Sequence, residues 1–334
     1  MKICTGIKDK HSLRRYIAAG ATEFYCGVID NSWLDKYNYT VPLNRRPWRE
    51  ANFTSFNELS EAVNIAHDFG CEIFYTINEH CYNDQQLEII KHHLFNLLRM
   101  NIDAIIVSDI GLIQFLKENG YNKQIHVSTD GVAFNRYAVK FYKEILRANR
   151  LILPRSLTID EINDITEFEP DMDYEIFIKN EGCTYIDGLC NFVHGVKYIQ
   201  GNNEKTYNPP CELRYKVVAI AGKDNKEDFA QVENRLNRVL ASKANCGICS
   251  LFLFNREKIK SLKVVSRDTA EDRIVNDILQ VKEAIKLCQE TNEFQEYIKL
   301  LKNKECQNDY KTKMIYCYYP EVCKDLMSMN YTKD

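Results

Sequence analysis

Along the first 180 residues, apolar and polar positions alternate between two periods. Stretches with apolar residues three and four apart give way, at a small or polar residue, to short apolar runs rich in β-branched and aromatic side chains. His11–Ala19 has the helical spacing, Gly20 stops it, and Thr22–Cys26 reads as a strand. Ser55–Phe69 predicts a helix with Leu59, Ala62, Val63 and Ala66 on one face. Thr54 or Ser55 caps it, and Glu58 suits a capping box with Ser55. Gly70 ends that helix, and Glu72–Asn78 follows as a strand. The phrase recurs as helix Asp84–Met100 with strand Asp103–Ser108, and as helix Ile110–Asn119 with strand Gln124–Thr129. It recurs again as helix Arg136–Arg147 with strand Arg150–Leu153, and as helix Ile159–Glu167 with a strand from Tyr174.

With Lys2–Thr5 at the start, this gives seven strands, mostly separated by helices. Such alternation predicts a parallel sheet covered by helices. Seven strands in one uninterrupted series suit a barrel better than an open sheet. Ser261–Ser266 supplies an eighth strand, and the helical stretch Thr269–Cys288 follows it. The predicted fold is therefore α/β, a (β/α)8 TIM-like barrel over residues 1–290. A cysteine-bearing insertion, residues 183–250, lies between strands seven and eight, and residues 291–334 form a short helical C-terminal extension.

Composition narrows the class. The 334 residues are 45% hydrophobic and 27% charged, ordinary for a globular protein, and the net charge of -3 argues against a global basic field for nucleic acid. No apolar run approaches the length that spans a bilayer, and the chain opens on a strand rather than a leader, so a cytoplasmic protein is expected. In that compartment thirteen cysteines suggest buried thiols, metal ligands or redox groups rather than disulfides.

Barrel chemistry gathers at the carboxyl ends of the strands. There the sequence places Asn78-Glu79-His80, Ser108-Asp109, His126-Val127-Ser128-Thr129-Asp130, Pro154-Arg155 and Lys179-Asn180-Glu181. His126, Asp109, Asp130 and Glu181 are candidates for moving protons, and Arg155 for clamping a carboxylate. Period two puts His126, Ser128 and Asp130 on one side of their strand. Cys183, Cys190, Cys211, Cys246 and Cys249 follow with 6, 20, 34 and 2 residues between successive members. Soft thiolates in this number suit an iron–sulfur cluster, while Cys246-x-x-Cys249 alone has the spacing of a zinc knuckle, so both metals stay open. Arg45, Arg46 and Arg49, interleaved with Trp48 and Phe53, read either as an RNA-binding patch or as a loop over the barrel mouth.

The segment EIFIKNEGCTYIDGLC (175–190) resembles the signature of the collagenase-like peptidases, peptidase family U32. NFTSFNELSEAVNIAHDFGCEIFYTIN, DAIIVSDIGLIQFL, IHVSTDGVAFN, RLILPRSLTIDEI, NPPCELRY and CGICSLFLFNREKIKSLKVVSR are similar to its other segments in order. In the last of these, Ser266 stands where the family phrase has glycine.

The resemblance implies a 4Fe-4S cluster held by Cys183, Cys190, Cys211 and either Cys246 or Cys249. It implies oxygen-independent hydroxylation of RNA or a quinone precursor, with a carboxylate such as prephenate as hydroxyl donor. The family's name implies a peptidase instead, yet the chain has neither HExxH nor GxSxG. Because family members also pair with paralogues, a homodimer or a heterodimer, with this chain as a non-catalytic cluster carrier, is a third expectation.

Overall fold

The computed structural model describes residues 1–37, 41–180, 182–183, 186–190, 196–200, 203–207, 245–267, 269–303, 316–319 and 321–322. Seven parallel strands follow one another around a barrel: β1 (Lys2–Gly6), β2 (Glu23–Cys26), β3 (Glu72–Ile77), β4 (Ala104–Val107), β5 (Gln124–Val127), β6 (Arg150–Ile152) and β7 (Asp173–Lys179). The insertion contains an antiparallel hairpin, β8 (Val196–Gln200) with β9 (Asn203–Tyr207), and a short strand β10 (Asn245–Cys246). Strand β11 (Ile259–Val264) then closes the barrel, with Leu262 opposite Ile3 on one side and Ile176 on the other. The predicted (β/α)8 barrel is what the chain forms.

Helices α1 (Lys10–Ala19), α2 (Asn31–Tyr37), α3 (Phe56–Asp68), α4 (Asp84–Arg99), α5 (Ile110–Glu118), α6 (Arg136–Glu144) and α7 (Ile159–Phe168) connect the first seven strands, and α8 (Glu271–Glu290) follows the closing strand. Their starts obey local chemistry. Ser55 Oγ accepts the Glu58 amide at 3.2 Å, but the return arm of the expected capping box goes to Thr54, whose hydroxyl donates to Glu58 at 2.6 Å. Thr158 and Glu161 form a complete box at α7. Helix α2 carries no clear sequence period; it is seven residues long and anchored by buried Trp33.

The C-terminal extension is helical only in part. Helix α9 (Phe294–Asn303) packs on α8, but β12 (Tyr316–Cys317) is a strand that runs parallel to β10, with Cys317 opposite Cys246. Among the described residues, no helix is long and apolar enough to cross a membrane.

The barrel interior is polar at its centre. Arg150 makes two hydrogen bonds to Glu23, at 2.7 and 2.9 Å, and reaches Glu175 at 3.3 Å. Lys263 pairs with Glu175 at 2.5 Å, and Ser261 donates to Glu23 at 2.7 Å. His126 is buried in this layer, edge-on to Phe74 at 4.5 Å, with Nε2 3.0 Å from Gln124. Burial first, then the charges of Arg150 and Lys263, hold its pKa well below the ordinary 6.5.

Those surroundings fix a pH dependence. His126 stays neutral in the fold, while the unfolded chain binds its proton below about pH 6.5. The folded state therefore loses stability as pH falls through that value, by up to about 1.4 kcal/mol per pH unit for one proton. His126→Gln should flatten the loss between pH 7 and pH 5, as measured by chemical denaturation. Identical slopes in the two proteins would refute this origin.

Candidate functional site

Three loops meet at the carboxyl end of the barrel. The first is the turn after β5. Ser128 Oγ lies 3.4 Å from the Asp130 amide, and Val132 takes a left-handed φ of 61°, a strained conformation for a β-branched residue. The second is the 186–190 loop, which clamps onto that turn. Asp187 accepts the Thr129 hydroxyl at 2.9 Å and the Arg155 amide at 3.1 Å, and also pairs with the Arg155 guanidinium. The Gly188 amide donates to Asp130 at 3.1 Å. Gly188 has φ +80°, and a Cβ there would lie 2.5 Å from the Asp130 carbonyl oxygen, so glycine is required on both counts.

The third loop, residues 41–53, brings Arg45 into the mouth. Arg45 is buried and bonds Glu79 at 2.8 Å, with Asp130 at 3.6 Å. Burial pushes the Asp130 carboxyl above its usual range; Asp187 adds to the shift and Arg45 opposes it. The Arg155 guanidinium lies 3.8 Å above the Phe177 ring. Three buried atoms around this mouth, Glu79 Oε2, His80 Nε2 and Arg155 Nε, have no hydrogen-bond partner among the described residues. Such atoms leave capacity for a polar ligand.

The thiols approach from the same end. Cys190 lies within electrostatic reach of Arg45, Cys183 of Arg155, and Cys246 of Tyr318. Cys183 lines a cavity of about 270 Å³ together with Arg155, Ser156, Thr158, Cys317 and Tyr318. The donor chemistry fits a soft metal or cluster. A single tetrahedral zinc, with Zn–S bonds of about 2.3 Å, would set its sulfurs about 3.8 Å apart. No three of the described thiols come within 4.8 Å of one another, so they do not form a ready three-thiol zinc site.

Among the described residues, the donors that do converge are Cys4, Glu23 and Glu175, inside the barrel. Arg150 and Lys263 already neutralise both carboxylates, and burial, with Glu175 next, keeps the Cys4 thiol protonated. That group is a structural layer.

The structure sorts the sequence candidates. Asp130 and Arg155 meet at the mouth with Cys183 and Cys190. His126 lies deeper, in the interior ion layer, away from the loops. Asp109 caps α5 through the Gly111 amide at 2.7 Å and accepts the Tyr82 amide at 2.8 Å, so both its oxygens serve backbone. Cys249 sits in the 3₁₀ helix Ile248–Leu253, which packs against α8 and α9. Glu181 and Cys211 lie outside the described residues. The arginine–aromatic segment is a loop at the mouth: Arg45 and Phe53 are buried, Arg46 stacks on Trp48 at 5.6 Å, and Arg49 is exposed. Asp187 and Cys317 were not legible as site residues, because their partners are distant in sequence.

Comparison with known proteins bears on this site. The family model "Peptidase family U32" matches residues 8–321. The chain is 31% identical over 206 residues to tRNA hydroxylation protein P of Haemophilus influenzae, which covers 62% of this chain and 41% of that protein. It is 25% identical over 213 residues to the 23S rRNA 5-hydroxycytidine C2501 synthase of Escherichia coli, 64% of this chain and 30% of that one. The chain thus spans less than half the length of either relative. A solved U32 peptidase structure superposes with a TM-score of 0.41 at 13% identity, over 54% of this chain and 69% of that one.

The clamp makes a direct prediction. Gly188→Ala forces a left-handed alanine against the Asp130 backbone and should cost about 1–3 kcal/mol. It should also free the 186–190 loop, so that Cys190 is alkylated faster than in the parent protein. An unchanged melting temperature with unchanged Cys190 reactivity would show that the loop is held some other way.

Proposed function

Because the chain belongs to peptidase family U32, we propose that it is an iron–sulfur protein of that family, acting in oxygen-independent hydroxylation of an RNA base. What supports this reading is that Cys190 lies within reach of Arg45, Cys183 within reach of Arg155 and Cys246 within reach of Tyr318, at the barrel mouth. The relatives named for tRNA and 23S rRNA hydroxylation give the reaction class. Cys183, Cys190, Cys211 and Cys246 would hold a 4Fe-4S cluster. When bound, such a cluster supplies one-electron redox capacity.

The chain's own residues do the rest. Arg155 faces the cavity and its guanidinium is balanced by Asp187, so a carboxylate donor of prephenate type would bind by sharing or displacing that partner. Asp130, whose carboxyl burial pushes above its usual range, is placed to exchange a proton with a group in the mouth. His80, whose Nε2 has no partner among the described residues, is the neighbouring group that can accept it. Phe177 closes the floor under Arg155 and keeps water from that side.

Anaerobic purification with iron, sulfide and zinc assays tests the reading. The expected protein is brown, absorbs near ~400 nm and carries about four irons and four sulfides per chain. Single alanine changes at Cys183 or Cys190 should abolish the absorbance. Total RNA from cells lacking the protein should lose one hydroxylated nucleoside by mass spectrometry. A colourless zinc protein that cleaves peptides without iron would replace this reading with the peptidase one.

A further inference from the structure

One thiol of the cavity has no part in the ligand set above. Cys317 lines the same 270 Å³ space as Cys183. It is also the register partner of Cys246 across the parallel pair β10–β12, a spacing of about 4.8 Å between neighbouring strands. Cys317 therefore stands next to one ligand candidate and shares a wall with another.

Its position is fixed from several directions. The Tyr318 amide donates to the Cys246 carbonyl at 3.0 Å, and the Tyr318 hydroxyl donates to the Asn180 carbonyl. The Tyr319 hydroxyl donates to the Phe177 carbonyl at 3.1 Å, near the end of strand β7 before Cys183. Glu321 accepts the Ile159 amide at 3.0 Å, joining the segment to the start of α7. These bonds tie Tyr318, Tyr319 and Glu321 to the strand that delivers Cys183 and to the loop that delivers Arg155. Cys249, three residues beyond Cys246, lies past the end of β10, inside the 3₁₀ helix Ile248–Leu253 that packs against α8 and α9.

We propose that Cys317 belongs to the metal-binding thiol set, entering beside Cys246, and that Cys249 stands outside it. This rests on the iron–sulfur reading of the mouth. In the free thiol, Cys317 Sγ donates to the Tyr319 carbonyl at 3.1 Å. On binding, that S–H bond breaks, its proton passes to solvent and a sulfur–metal bond forms, with no change of oxidation state. A site with one thiol more than a four-cysteine cluster needs can exchange Cys246 for Cys317 at one iron. The C-terminal strand then becomes part of the site itself.

Pulsed alkylation of the full chain under anaerobic conditions, read by peptide mass spectrometry, tests this. Loading with ferrous iron and sulfide should slow iodoacetamide labelling of Cys183 and Cys317 by about tenfold or more, because a metal-bound thiolate is a poor nucleophile, and should leave Cys249 unchanged. Slowing at Cys183 but not at Cys317 overturns the proposal. If no iron is retained and neither thiol slows, the iron–sulfur reading fails, and Cd²⁺ alone decides: protection of both thiols sustains the shared set, and anything less overturns it. As a second measurement, Cys317→Ser should release iron to a chelator several-fold faster than Cys249→Ser, with circular dichroism confirming that both fold. Equal release also overturns it.

Discussion

The barrel is held shut from inside by a charge layer. Glu23 on β2, Arg150 on β6, Glu175 on β7 and Lys263 on β11 form a chain of alternating charges, Glu23–Arg150–Glu175–Lys263, all buried. Burial alone would raise the Glu23 pKa, yet Arg150 outweighs it and holds the carboxyl below its usual range. Burial alone would lower the Lys263 pKa, and Glu175 outweighs it in turn. Removing one partner would strand an opposite charge in a low-dielectric interior, at a cost of about 3–5 kcal/mol. The layer joins β2 to β6 across 127 residues through Glu23 and Arg150, and β2 to β11 across 238 through Glu23 and Ser261, so it specifies closure in a way that apolar packing alone does not.

That layer also sets where chemistry can occur. The interior charges are spent on one another, and His126 and Cys4 beside them are kept neutral by burial. Reactive capacity is left at the carboxyl end, where the turn after β5 and the 186–190 loop hold each other. Among the described residues, Arg45 at the mouth is answered by Glu79 and Asp130, and Arg155 by Asp187. An anionic ligand would gain from these arginines only by exchanging with a carboxylate. That exchange favours a small, well-shaped carboxylate over a diffuse phosphate backbone.

The sequence revealed the fold more readily than the site. Helix–strand alternation is a local signal, and Gly20, Gly70 and Gly120 mark the helix ends with left-handed turns at φ 114°, 68° and 82°. The barrel could therefore be read from one-dimensional pattern. Depth within it could not. Period two put His126 and Asp130 on one face, but β5 ends at Val127 and Asp130 lies beyond it in the 3₁₀ turn Thr129–Gly131, so the strand period does not reach the mouth. Strand β7 shows a second limit. Its register with β11 skips a residue between Phe177 and Lys179, and Lys179 turns out to bond Gln280 of α8 at 2.7 Å. A polar residue at a strand end is thus no guide to the side it faces.

Ser266 shows how a departure from a family phrase can be local repair. Its hydroxyl accepts the Gly6 amide at 2.7 Å and donates to the Gly6 carbonyl at 2.8 Å, where β1 and β11 run past their ladder. A glycine at 266 would leave both backbone groups to find other partners at the buried rim. Immediately after it, Arg267 is buried between Asn44, Asn52 and Thr76, at 3.4, 3.3 and 3.4 Å. The serine thus fixes the strand end that carries the arginine, and the arginine anchors the Arg45 loop through Asn44 and Asn52. Closure of the barrel and placement of the mouth's first cation are in this way one chain of contacts, running from Gly6 to Arg45.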